Sequence, residues 1–169
     1  MRKPPHVMEI YLQPGEVWVG DRDTRIRTIL GSCVAITLWH PVKLIGGMCH
    51  FMLAERPPGR AGEPDARYAN EAMRLMTEQI RRAGCRLQDM EAKLFGGGRM
   101  FRHRPAGGNE QVQDRNIEAG RLLVRHAGAK LTAEHLGGHG HRQLIFDIWN
   151  GHVWMKHTPL PANDEAKIQ

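Results

Sequence analysis

Leu30-Gly31-Ser32-Cys33-Val34-Ala35-Ile36-Thr37-Leu38-Trp39 is followed by His40-Pro41-Val42-Lys43-Leu44 and then by Ile45-Gly46-Gly47-Met48-Cys49-His50-Phe51-Met52-Leu53. Two apolar, β-branched runs separated by a short proline-bearing link read as an antiparallel pair, with strands over 34–39 and 45–53. A tight turn centred on Pro41-Val42 sets His40 opposite Lys43, and Cys33 then falls opposite His50. Directly opposed residues share a face with Cβ atoms about 4.5–5.5 Å apart. In this register Cys33, Ala35, Thr37, Met48, His50 and Met52 lie on one face. Val34, Ile36, Leu38, Cys49, Phe51 and Leu53 lie on the other, more uniformly apolar one. Pro-Val is not a favoured two-residue turn, and a longer link shifts the register.

Outward from this pair the chain stays strand-rich. Segments 16–19 and 25–30 precede it as short strands, and a Pro/Gly-rich loop over 56–64 follows it. Ala69, Ala72, Met73, Met76, Ile80 and Ala83 recur at helical spacing, giving a helix over 68–83 that Gly84 ends. A strand over 92–95 runs into Gly96-Gly97-Gly98. A second helix covers 116–127, with Asn116 as its N-cap and Gly128 after it. Strands follow at 131–134, 143–149 and 152–156, the last two flanking Asn150-Gly151, a hairpin signal. This order predicts an α/β fold, a single-domain layered sandwich of mostly antiparallel or mixed sheets with two to three helices. The domain is expected over 1–157, with a loose tail over 158–169.

The 169 residues suit one domain, and 41% hydrophobic residues suffice for a core. No apolar run is long enough for a membrane span, and none follows the basic N-terminus as a signal peptide would require. Three cysteines, an odd number, do not form a disulfide framework, so a cytoplasmic protein with free thiols is expected. The net charge of +6 invites nucleic acid, but the arginines are scattered among acids without any recognition motif. An acidic protein surface suits such charge at least as well, and Arg27, Arg99 and Arg102 are candidates to steer toward it. His135 and His139 match half of a zinc site at most, and a solvated loop is the preferred reading. The glycine triplet lacks both phosphate-loop and dinucleotide spacing. No cofactor and no metal is expected.

Chemistry concentrates at Cys33. A thiol behind Gly31 and Ser32, at the mouth of a strand, leaves room for a carbonyl to approach and backbone N–H groups to receive an oxyanion. A cysteine beside an apolar strand is more often a small buried hydrophobe, and His50 is what changes the reading. A nearby imidazole can take the thiol proton, pair with the thiolate and later protonate a leaving amine. Thr28, on the preceding strand, is a candidate to orient that imidazole, against the plainer reading of an ordinary strand threonine.

These residues resemble the chemoreceptor glutamine deamidase family of bacterial chemotaxis, CheD. The likeness runs from about Val17 to Lys156. It rests on Leu30 to Ala35, on Gly47-Met48-Cys49-His50-Phe51-Met52-Leu53, and on Tyr68-Ala69-Asn70-Glu71-Ala72. Further matches are Ala92 to Gly97 with Met100-Phe101, and Arg115-Asn116-Ile117. The resemblance implies a catalytic set of Cys33, His50 and Thr28, with Gly31 and Ser32 lining the oxyanion site. It also implies a fold like that of toxin-type cysteine deamidases. Some relatives carry one more residue between threonine and cysteine, which makes Arg27 the competing position. Gln113 replaces a usual glycine, and Leu136-Gly137-Gly138-His139 replaces Thr-Gly-Gly-Asn. The implied function is a cysteine-dependent protein-glutamine glutaminase acting on chemoreceptor cytoplasmic domains. The alternative is a non-catalytic adaptor that binds receptors or a CheC-type phosphatase.

Overall fold

A computed structural model describes residues 2–101 and 112–161. Nine strands run in the order β1 (Met8–Tyr11), β2 (Val17–Gly20), β3 (Thr24–Leu30), β4 (Val34–His40), β5 (Ile45–Phe51), β6 (Glu91–Gly96), β7 (Lys130–Leu136), β8 (His141–Asp147) and β9 (His152–Thr158). Helix α1 (Ala69–Arg82) follows β5 and helix α2 (Val112–Ala127) follows β6, with a 3-10 turn at Leu87–Asp89. One sheet has the order β1-β3-β8-β9 and the other β2-β5-β4-β6-β7. The β1–β3 and β6–β7 pairs are parallel and the rest antiparallel, so both sheets are mixed. No helix among the described residues is long and apolar enough to cross a membrane.

Three layers result, because β4 and β5 are apolar on both faces. Val34, Ile36, Leu38, Cys49 and Phe51 pack under the helices against Ala72, Met73, Met76, Ile80 and Val124. Ala35 and Met48 face the other sheet and meet Ile26, Leu30, Phe95, Leu144 and Phe146. The architecture is the expected layered α/β sandwich. The chain passes from one sheet to the other between β3 and β4, over residues 31–33. Cys33 therefore stands where the two sheets part.

Several local expectations change. Strand β4 pairs with β5 so that Ala35 opposes His50 and His40 opposes Ile45, two residues from the expected register. The turn has four residues, 41–44. His40 Nδ1 accepts from the Val42 and Lys43 backbone N–H groups, and Leu44 takes a positive φ of 51°. Because the side-chain period is two, a two-residue shift leaves every side chain on its expected face. Helix α2 begins at Val112, so Asn116 lies inside it and is no N-cap. The hairpin at Asn150-Gly151 carries a four-residue loop, 148–151, between Asp147 and His152. Strand β1 and the 3-10 turn were not expected. The final strand extends through Thr158, and most of the expected tail, 162–169, lies outside the described residues.

Candidate active site

The arm carrying Cys33 is held from behind by backbone. Gly97 N–H donates to Cys33 O and Gly98 N–H to Gly31 O, each at 2.8 Å. Gly96 has φ 117°, and a Cβ there would stand 2.2 Å from Cys33 O. Only glycine allows this approach, which accounts for part of the glycine run. Gly31 packs under Met100, whose sulfur would lie 3.0 Å from a Cβ at that position. The backbone N–H groups of Ser32 and Cys33 donate to no backbone carbonyl among the described residues. Cys33 is half-buried, and that burial pushes its thiol pKa up, offset in part by its own backbone N–H.

His50 projects from β5 into the space between the sheets and is almost fully buried. Its Nδ1 lies 2.8 Å from Thr28 Oγ1. Thr28 Oγ1 in turn donates to Leu12 O at 2.8 Å. A carbonyl only accepts and a hydroxyl has one proton, so Thr28 must receive from His50. The proton of the neutral imidazole therefore sits on Nδ1, and Nε2 carries the lone pair. No hydrogen bond engages His50 Nε2 among the described residues. Burial lowers the His50 pKa to about 4, so the ring is neutral at physiological pH. The segment over 12–16 fixes it further: His50 N–H donates to Glu16 O, and Gly15 N–H donates to His50 O.

Thr28, not Arg27, is the β3 residue beside the imidazole. Arg27 points to the outer face of its sheet and pairs with Glu9 at 3.4 Å. Cys33 and His50 share the inter-sheet side as diagonal neighbours, for which separations of about 7–8 Å are usual. No hydrogen bond joins their side chains. The resting pair is thus a neutral imidazole and a protonated thiol, in place of the expected ion pair. Cys49 faces the helices, fully buried, with its thiol pushed up to about 12.

Two expectations for the surroundings are altered. Arg99 is paired with Asp114 at 3.5 Å and Arg27 with Glu9, so neither is an unopposed cation for steering. Arg102 lies outside the described residues. His135 Nδ1 accepts from the buried Arg142 Nε at 2.8 Å, and no cluster of three metal-ligating side chains occurs among the described residues. Sequence reasoning missed two contributors. One is the Leu12 carbonyl, which no residue type signals. The other is Asn116, a fully buried polar residue in line with Gly120 and Val124 on the inner stripe of α2.

A family model described as CheD chemotactic sensory transduction matches residues 52–157, more than half of the chain. The chain belongs to the CheD family. A protein of Pseudomonas savastanoi pv. phaseolicola, named probable chemoreceptor glutamine deamidase CheD, is 49% identical over 171 residues, covering 100% of this chain and 96% of its own. A second CheD relative, from Chromobacterium violaceum, is 46% identical over 93% of this chain and 81% of its own. One from Leptospira interrogans is 36% identical over 91% and 95%. Among solved structures, Bacillus licheniformis hypothetical protein YfiH superposes with a TM-score of 0.44 at 20% identity, over 70% of this chain and 49% of its own. The CheD family match begins two residues beyond His50, while the relatives span the whole site.

Proposed function

We propose that this protein deamidates glutamine side chains of bacterial chemoreceptors in the cytoplasm, with Cys33 as nucleophile, His50 as general base and acid, and Thr28 orienting His50. The reading is supported by membership in the CheD family and by relatives named as chemoreceptor glutamine deamidases. The observation that carries the chemistry is the chain His50 Nδ1–H to Thr28 Oγ1 to Leu12 O, which leaves Nε2 as an unengaged base.

Because neither group is charged at rest, proton transfer accompanies attack. The Cys33 proton moves to His50 Nε2 as sulfur bonds to the carboxamide carbon. The oxyanion is received by the N–H groups of Ser32 and Cys33. The imidazolium returns its proton to the amide nitrogen, the C–N bond breaks, and ammonia leaves a thioester. Water gives a proton to Nε2 and adds to the thioester carbonyl; collapse releases glutamate, and the thiolate takes the proton back. Thr28 accepts from Nδ1 throughout and stabilises the imidazolium as it forms.

The test is a purified receptor cytoplasmic fragment incubated with wild-type protein and with Cys33→Ala. Conversion of glutamine to glutamate with one ammonia per site, seen only with wild type, is expected. Binding without conversion would favour the adaptor reading, including a CheC-type partner.

A further inference from the structure

Asn116 is fully buried in the second turn of α2, and a helical position disfavours asparagine because its side chain competes for backbone hydrogen bonds. It is not idle there. Its Nδ2 donates to Ser32 O at 3.2 Å and to Met52 O at 2.8 Å. These carbonyls belong to the two arms of the site: Ser32 precedes Cys33, and Met52 lies two residues past His50. Continuing the β4–β5 register beyond Val34 and Phe51 sets Met52 across from Cys33. At that point both chains have left the ladder, since Met52 N–H turns away to Arg67 O. One amide thus spans the gap where strand pairing ends.

Two further features fix this arrangement. Gly120, one turn along α2, brings the helix close to the sheet: a Cβ there would already touch Leu94 and Val34 at 3.4 Å. A side chain as short as asparagine then reaches both carbonyls. Asn116 Oδ1 has no hydrogen-bond partner among the described residues, and both bonds to the two arms are made by Nδ2. The reversed amide would aim that oxygen at two carbonyl oxygens.

We infer that Asn116 is a positioning residue for the deamidation proposed above: its amide clamps the Cys33 arm to the end of the His50 strand and sets the approach of sulfur to Nε2. It touches neither substrate nor reacting atom. Without the clamp, the Gly96–Gly98 brace still holds the arm from one side, but its distance from β5 is no longer fixed. The thiol then gains solvent while losing its aim. This inference rests on the proposed function for its kinetic consequence and not for its effect on the thiol.

The experiment uses the full chain and two variants, Asn116→Ala and Asn116→Leu, the second filling the space without a donor. Iodoacetamide labelling mapped by mass spectrometry reads the three thiols separately, and the buried Cys49 reports global opening. Labelling at Cys33 is expected to rise roughly tenfold in both variants as the thiol sheds part of its burial, with Cys49 unchanged. On a receptor fragment, kcat should fall by about 10²-fold with KM unchanged, the scale of a misplacement near 1 Å. An unchanged or slower rate at Cys33, a rise shared by Cys49, or a loss confined to KM overturns the clamp. If wild-type protein converts no receptor glutamine, the proposed function fails, and labelling still decides the clamp.

Discussion

Thr28 has one hydroxyl proton, and the Leu12 carbonyl takes it. That single commitment assigns the His50 tautomer, so Thr28→Val, which keeps shape and loses the hydroxyl, frees the ring to adopt the other. We expect kcat to fall by roughly 10²-fold or more, as for other groups that fix a catalytic imidazole, with KM little changed in steady-state assays. Acid acts on the same ring. Its pKa drops from an ordinary 6.5 unfolded to about 4 folded, so the unfolded chain takes up the proton first. Stability is therefore full above pH 6.5 and declines as pH falls toward 4, by roughly 3 kcal/mol for this group. Denaturant midpoints between pH 7 and 4 should fall less in His50→Gln than in wild type. The thiols should separate as well: Cys33→Ala is expected to abolish deamidation, and Cys49→Ala to spare it at a cost on the order of 1 kcal/mol. A folded but inactive Cys49→Ala beside an active Cys33→Ala would reverse the assignment.

At the scale of elements, the brace behind Cys33 makes the sharpest prediction. Gly96→Ala places a methyl against Cys33 O at a φ that side chains rarely adopt. We expect a loss of about 1–3 kcal/mol in denaturant unfolding and a fall in turnover beyond what the folded fraction explains. The β4–β5 pair also shows which parts of the site are legible in sequence. Alternation of apolar residues separates Cys33 and His50 from Cys49 whether the turn has two residues or four, because both lengths conserve the face. The exact opposition of residues depends on the turn. There His40 captures two backbone N–H groups, a detail composition does not announce. Asn116 read as a cap because asparagine before an apolar periodic run usually is one. Its true partners, Ser32 and Met52, are 84 and 64 residues away.

Across the whole molecule, two-sided apolar strands such as β4 and β5 required cover on both faces, so a layered α/β sandwich was readable before any contact was known. The pairing of distant strands was not. Strand β1 has four residues and three of them are exposed; it exists because β3 offers it an edge. The far sheet hides an ion pair that sequence does not reveal: Arg25 meets Asp147 through two hydrogen bonds at 2.6 and 3.0 Å, both side chains buried, with the guanidinium over Trp149. Asp147→Ala strands that cation and should destabilise the fold by roughly 3–5 kcal/mol in denaturant unfolding. Cys33 and His50 are carried by neighbouring strands of one sheet, and Thr28 reaches the imidazole from the other sheet across the seam. That the Cys33 sulfur bonds to a receptor glutamine is tested most directly by quenching the reaction with acid during turnover and mapping the adduct by mass spectrometry. The account predicts a receptor peptide joined to Cys33 as a thioester, lighter by one ammonia and released by hydroxylamine. Glutamine converted at the wild-type rate by Cys33→Ala, or an adduct on another residue, would contradict it.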